Sequence, residues 1–265
     1  MQLELLDRQP PAGARKGRPP LLFLHGAFAS AWVWEEHFLD HFAAAGYPSH
    51  AVSLRGHGNS AGREDVAAAS LADYRDDLLA AAGRLDGAPV LVGHSMGGAV
   101  VQKALEGFAA PAAVLMNSVS PYGLASSNLF LAFGKPWLYQ RLLMIHGFGP
   151  SAATPEVMQG LLFAQPLPDA RGRRYLSGLQ RESKRVVWDL LGFDLPRPDP
   201  ESLPPTLVLG AEADAMLPWS DIEATARAYN TEALQVPGLG HAMMLEQGWR
   251  AAADPLLAWL EARFA

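Results

Sequence analysis

Cysteine is absent from all 265 residues. That removes disulfides, thiolate metal sites and a thiol nucleophile, and it leaves no redox clue to compartment. No uninterrupted apolar run approaches the ~18 residues of a membrane span, so no stable membrane anchor is expected. The start, Met1-Gln2-Leu3-Glu4-Leu5-Leu6-Asp7, has neither a basic beginning nor an apolar core, and it is not read as a signal peptide. Positive charge is in short supply: 21 Lys and Arg stand against 27 Asp and Glu, a net charge of -6. No nucleic-acid footprint is therefore expected. Internal repeats and low-complexity tracts are missing as well. These absences point to a cytoplasmic, enzyme-sized protein whose partner is a small molecule. Hydrophobic residues make up 49% and charged residues 18%, enough apolar material for a large core. The length allows one large domain, or one with an insertion.

The stretch Val90-Leu91-Val92-Gly93-His94-Ser95-Met96-Gly97-Gly98 is the most informative. A short apolar run meets Gly-x-Ser-x-Gly and then a helical pattern. That context makes the pentapeptide a nucleophile elbow, with the serine at the tip of a sharp strand-to-helix turn. Gly93 and Gly97 let strand and helix close on each other. The turn presents Ser95 at a helix N-terminus, which favours negative charge.

Around this stretch, strands alternate with helices. Residues 2–6 read as an edge strand and Gln9 to Pro20 as an exposed loop. Leu21–Leu24, Ser49–Leu54, Ala112–Met116, Thr206–Leu209 and Ala233–Val236 read as strands. Trp34, Phe38, Leu39 and Phe42 recur at helical spacing, with Ser30 as a candidate cap and Gly46 as the stop. Ser70 with Asp73 resembles a capping box. Helices are also expected at Ser220–Tyr229 and Gln247–Phe264. From Tyr122 to about Pro200 no strand is expected, only helical stretches: Ser127–Ile145, Pro155–Phe163 and Arg173–Leu191. Alternation implies a mostly parallel sheet covered on both faces. The simplest division is a core of residues 1–121 and 201–265, with a helical insertion at 122–200.

A serine hydroxyl attacks only if a base takes its proton and a third group orients that base. On this type of sheet the partners follow in the order serine, acid, histidine, each on a loop after a strand. His241 in Gly238-Leu239-Gly240-His241 follows the last strand and is the candidate base. In Gly210-Ala211-Glu212-Ala213-Asp214 the chosen acid is Asp214, with Glu212 as its rival. Asp221 falls inside the next helix. Acyl transfer also needs donors for an oxyanion. The candidates are the backbone N–H groups of Met96, after the nucleophile, and Ala27, after His25-Gly26, with Phe28 as the neighbour that could replace Ala27.

With these motifs in place, His25-Gly26-Ala27-Phe28, Arg55-Gly56-His57-Gly58-Asn59-Ser60, Gly93-His94-Ser95-Met96-Gly97-Gly98, Asp214-Ala215-Met216-Leu217-Pro218 and Gly240-His241, the chain resembles the α/β-hydrolase superfamily in its serine-esterase-like branch. The resemblance implies an α/β-hydrolase fold, a mostly parallel doubly wound sheet with a helical cap inserted after strand 6 of the family's sheet. It also implies a cofactor-free serine hydrolase acting on a carboxylic ester with an apolar acyl or alcohol part. Serine at the elbow argues against haloalkane dehalogenase and epoxide hydrolase chemistry, where members of the family carry aspartate. A thioesterase, a carbon–carbon bond hydrolase, a perhydrolase or a lyase with the same three residues stays open, as does a small-molecule receptor on a hydrolase fold.

Most bulky residues of the insertion are expected to pack the cap onto the main domain. A few line a pocket; Phe28, Phe130, Trp137 and Leu217 are the candidates for substrate contact. His25 and His94 are expected to make local structural hydrogen bonds and His57 to order its loop. Glu36, His37 and His41 do not follow His-Glu-x-x-His, so no metal is expected. The glycines at 93, 97 and 98 lack the Lys-Ser/Thr ending of a phosphate loop.

Overall fold

Every residue of Val90–His94 is buried, and this strand lies at the centre of a seven-stranded sheet. The computed structural model describes residues 1–14 and 17–264. Positions 15 and 16 of the expected Gln9–Pro20 loop lie outside them. The strands are β1 (Leu5–Arg8), β2 (Leu21–Leu24), β3 (Ser49–Val52), β4 (Val90–His94), β5 (Ala113–Met116), β6 (Thr206–Ala211) and β7 (Ala233–Val236). Their order across the sheet is β1-β3-β2-β4-β5-β6-β7. Only β1 runs antiparallel to its neighbour; the remaining pairs are parallel, with Leu24 opposite Gly93 and His94 opposite Met116.

The flanking helices are α1 (Trp32–Glu35), α2 (Phe38–Ala44), α3 (Leu71–Ala82), α4 (Met96–Ala104), α5 (Ala125–Gly134), α6 (Pro136–Phe148), α7 (Pro155–Leu162), α8 (Asp169–Ser177), α9 (Lys184–Trp188), α10 (Trp219–Ala228) and α11 (Arg250–Phe264). Because helices cover both faces, β2, β3, β5 and β6 are buried throughout. β2, β5 and most of β6 therefore read as apolar runs rather than alternating strands, whereas β3 buries the polar Ser49 and His50. The two-residue period still sorts their side chains. Phe23, Val92 and Val114 join Trp34, Phe38 and Leu256 on one face. Leu24, Leu91 and Leu115 join Leu78, Val100 and Ile222 on the other.

Local chemistry sets several boundaries. The Ser70–Asp73 capping box starts α3. Gly46, at φ +94°, ends the turn after α2. Ser30 caps nothing: α1 begins at Trp32, so the N-cap position falls on Ala31, which has no side-chain cap, and Ser30 precedes the helix by one residue too many. The expected single helix over 127–145 divides, because Lys135 is driven to φ -143° and ψ 58° by the following Pro136, which opens α6 instead. The stretch 173–191 divides likewise, into the end of α8 and α9.

Counted along this chain, the helical segment α5–α9 follows the fifth strand, since five of the seven strands precede it. Among the described residues no strand lies between β5 and β6, and no helix is long and apolar enough to cross a membrane. The order in which strands are added reverses between the parallel neighbours β2 and β4, from which the sheet grows outward both ways. The crevice at the carboxyl ends of those two strands is where open α/β sheets bind ligands.

Candidate active site

Ser95 occupies that crevice, at the junction of β4 and α4, with φ 54° and ψ -122°. A non-glycine residue holds such a conformation only where its surroundings over-determine it. Here they do. The Ser95 N–H donates to the Met116 carbonyl at 3.1 Å, and the Ser95 carbonyl accepts from Gly98 and Val119 at 3.0 and 3.1 Å. A Cβ on Gly93 would lie 2.5 Å from the Gly97 carbonyl oxygen, and one on Gly97 would lie 2.8 Å from that of Leu24. Only bare backbone allows strand and helix to approach this closely.

The structure brings Ser95, His241 and Asp214 into one line. His241 Nε2 lies 3.0 Å from Ser95 Oγ, and Nδ1 lies 2.7 Å from Asp214 Oδ2. The Asp214 side chain is 3% exposed. Its other oxygen accepts from the N–H groups of Met216 and Leu217 at 2.7 and 3.0 Å. A carboxylate so held fixes the Nδ1–H tautomer, leaving Nε2 to accept from the serine. Glu212 is elsewhere: it is exposed and accepts the Gly238 N–H at 3.0 Å. Asp221 is also remote from His241, accepting from the Ser127 hydroxyl at 2.7 Å.

The loop after β2 passes directly over the serine, close enough that a Cβ on Gly26 would sit 2.9 Å from Ser95 Cβ. The N–H groups of Ala27 and Met96 have no acceptor among the described residues. The Phe28 N–H is engaged by Glu182 Oε2 at 3.1 Å. A cavity of about 330 Å³ opens above Ser95 and is lined chiefly by apolar side chains, among them Val119, Leu131, Leu142, Val157 and Leu161. Phe28 and Leu217 line it; Phe130 and Trp137 do not. Phe130 packs into the apolar cluster between the helices. Trp137 is 50% exposed, with Arg141 stacked over it. The break at Pro136 sets the phase of α6 so that Tyr139, Leu142 and His146 face the cavity.

Three neighbouring histidines are accounted for. His94 Nε2–H donates to the His241 carbonyl at 2.9 Å, and burial together with the nearby His241 ring keeps its pKa well below the ordinary value. His25 accepts from Leu54 N–H at 3.1 Å and donates from Nδ1 to the Gly26 carbonyl at 2.8 Å; burial pushes its pKa down to about 3. His57 lies 3.3 Å from Glu182 Oε2, in a pair with essentially no exposure. Glu36 accepts from Arg174 and from Tyr175, His37 stacks on Trp249, and no cluster among the described residues could hold a metal ion.

Asn117 and Glu246 escaped the reading of the sequence. Asn117 Oδ1 accepts from Ala211 N–H at 2.7 Å and Nδ2 donates to the His241 carbonyl at 2.8 Å, so one amide ties the two loops that carry the acid and the histidine. Its one visible signal is a polar residue directly after a buried strand. Glu246 Oε1 accepts from Gly240 and Ala164 N–H at 2.9 and 2.6 Å and holds the histidine loop from its far side.

Comparison with known proteins agrees with this architecture. The chain is 31% identical over 136 residues to Protein ABHD8 of Homo sapiens, a match covering 51% of this chain but only 25% of that protein. Among solved structures, a thermophilic esterase from Thermogutta terrifontis superposes with a TM-score of 0.71 at 21% identity, covering 99% of this chain and 94% of its own. A bromoperoxidase from Bacillus anthracis gives 0.74 at 18% identity, with 98% and 95% coverage. Similarity at that level of identity concerns the fold. The sequence profile of the alpha/beta hydrolase family, however, matches residues 21–254, and the chain belongs to that family.

Proposed function

We propose that this protein is a serine hydrolase that cleaves carboxylic esters with an apolar acyl or alcohol part. The observation that carries the proposal is the position of His241, 2.7 Å from Asp214 and 3.0 Å from Ser95. In this reading Ser95 Oγ attacks the carbonyl carbon and passes its proton to His241 Nε2. The free N–H groups of Ala27 and Met96 stabilise the resulting oxyanion. Collapse breaks the ester bond, and His241 gives its proton to the departing alkoxide, leaving an acyl-serine. Water then attacks the acyl-serine, its proton goes to His241, and the carboxylic acid leaves as the serine is restored. Residues 122–200 act as a cap, whose apolar lining excludes bulk water and receives the hydrophobic part of the substrate.

The test is hydrolysis of an activated short-chain ester by the wild type and by Ser95→Ala, with labelling of Ser95 by a fluorophosphonate. Stoichiometric labelling and loss of turnover in the variant are expected. Wild-type turnover in Ser95→Ala would overturn the proposal. A second reading uses the same acyl-serine, attacked by hydrogen peroxide in place of water and releasing a peracid in place of the acid. Adding peroxide to the ester assay and measuring peracid separates the two.

A further inference from the structure

Glu182 is a buried carboxylate that the steps above do not use. It lies between α8 and α9, its side chain 1% exposed. A carboxylate in such surroundings is tolerated only when paired and fully hydrogen-bonded. Oε1 accepts from the Tyr74 hydroxyl and the Ser183 N–H, both at 2.6 Å. Oε2 accepts from the Phe28 N–H at 3.1 Å and faces His57 Nε2 at 3.3 Å. His57 Nδ1–H donates to the Arg55 carbonyl at 3.0 Å, and Nε2 lies beside the Glu182 carboxylate, a placement that favours the protonated ring. Burial opposes both charges, yet His57 and the hydrogen bonds hold Glu182 down at about 2, and Glu182 raises His57.

The consequence lies at the loop over Ser95. Phe28 has φ +62°, a left-handed conformation that a bulky residue rarely adopts. Both ends of this residue are gripped by the helical segment. Its N–H meets Glu182, and its carbonyl accepts the Gln180 N–H at 2.8 Å. The Gln180 side chain in turn accepts the Gly58 N–H at 2.7 Å, tying the same segment to the loop after β3.

We infer that Glu182 is a positioning residue: its carboxylate, presented from the helical segment at the cavity wall, occupies the Phe28 N–H and leaves the Ala27 N–H as the free donor of the β2 loop for the reacting carbonyl. His57 neutralises the carboxylate, so no net charge stands beside the developing oxyanion. The segment over the site is thereby part of the machinery that stabilises the transition state, and not only a wall of the pocket. The inference rests on the hydrolase reading above.

The experiment measures p-nitrophenyl acetate hydrolysis and the rate of fluorophosphonate labelling for wild type, Ser95→Ala, Glu182→Gln and Glu182→Leu. Leu fills the buried site without an acceptor; Gln keeps an oxygen for the Phe28 N–H. The expected result for Glu182→Leu is a kcat lower by about 30- to 300-fold, the range for a displaced oxyanion donor. KM stays within about twofold, because the donor acts mainly on the transition state. Labelling slows in step. Glu182→Gln recovers most of the lost kcat. Folded Glu182→Leu with wild-type kcat overturns the inference, as does a defect confined to KM, or equal loss of kcat in both variants. If Glu182→Leu does not fold, Glu182→Ala serves as the variant without an acceptor, under the same criteria. Wild type against Ser95→Ala reports on the hydrolase reading itself. Absence of Ser95-dependent turnover removes both; its presence with an unaffected Glu182→Leu removes only the role of Glu182.

Discussion

Replacing Asn117 by Ala should unlock two active-site loops at once. Asn117 is fully buried and sits at φ +41°, just past β5. Removing its amide leaves the Ala211 N–H without its 2.7 Å acceptor, a buried orphan that costs about 1–3 kcal/mol. The His241 carbonyl loses the Asn117 donor but keeps His94 Nε2 at 2.9 Å, so it adds little. Alanine tolerates positive φ less well than asparagine, and this adds up to about 1 kcal/mol. The total is about 1–4 kcal/mol, or roughly 2–15 °C in Tm for a chain of this size. Because the lost bonds fix both the start of the Asp214 loop and the backbone of His241, kcat should fall about 10- to 100-fold. Thermal unfolding by circular dichroism and initial rates on an activated ester read the two effects. Asn117→Gly separates their causes: it removes the same hydrogen bonds while accepting positive φ, and it should lose nearly as much as Asn117→Ala. Wild-type stability and rate in Asn117→Gly would falsify the hydrogen-bond account and leave only backbone conformation.

Other perturbations have equally definite outcomes. Asp214→Asn removes the anion that fixes the His241 tautomer, and kcat should drop by about 10³–10⁴; Glu212→Gln touches only the exposed Gly238 N–H and should keep the wild-type rate. Comparable rates for the two variants in the same ester assay would contradict the assignment. Gly97→Ala places a methyl against the Leu24 and His25 carbonyl oxygens, neither of which can move away, and should cost about 3 kcal/mol or more; an unchanged urea midpoint would refute this. His25 is held neutral in the fold, with a pKa of about 3 against 6.5 for a free imidazole. The unfolded chain therefore binds one more proton there between those pH values, and folding stability falls as pH drops from about 6.5 towards 3. His25→Gln should lower the slope of stability against pH by about 1.4 kcal/mol per unit in that window. Urea titrations at pH 4 and 6 with equal slopes for both proteins would contradict it.

The sheet is legible in the sequence because strands buried on both faces must be apolar throughout: Leu21–Leu24 and Ala113–Met116 have no other use for such runs. The serine is legible because it follows such a strand at a glycine-rich turn, and the histidine because it follows the short, partly exposed strand Ala233–Val236 at another. The acid is not fully legible, since Glu212 and Asp214 share one short loop. What separates them is side-chain direction, set by the Met216 and Leu217 N–H groups that receive Asp214. Ser30 misleads as a cap because α1 starts one residue later than composition suggests. Trp137 misleads because its place on the helix depends on a break at Lys135 that shifts the phase of all that follows. Glu182 and Asn117 leave almost no mark. Their roles rest on partners 94 to 154 residues distant in sequence, which only the folded chain brings within reach.

The four imidazoles around the serine explain how a single proton can be directed. In the proposed reaction His241 gains charge beside His94, whose ring centroid lies 4.8 Å away. Were His94 an imidazolium as well, repulsion at that separation in a low-dielectric interior would oppose every proton transfer from Ser95. The structure forestalls this with tautomers. His94 spends its one N–H on the His241 carbonyl, and His25 spends its own on the Gly26 carbonyl, while burial keeps both rings from taking a second proton. Glu182 raises the pKa of His57, but the two lie against each other, so the charge of a protonated His57 is cancelled close to its source. Three histidines are thus fixed, two neutral and one compensated. His241 alone has a ring nitrogen that faces a hydroxyl on one side while a carboxylate waits on the other. In the proposed reaction this arrangement confines proton transfer to one pair of atoms by denying it to the neighbours.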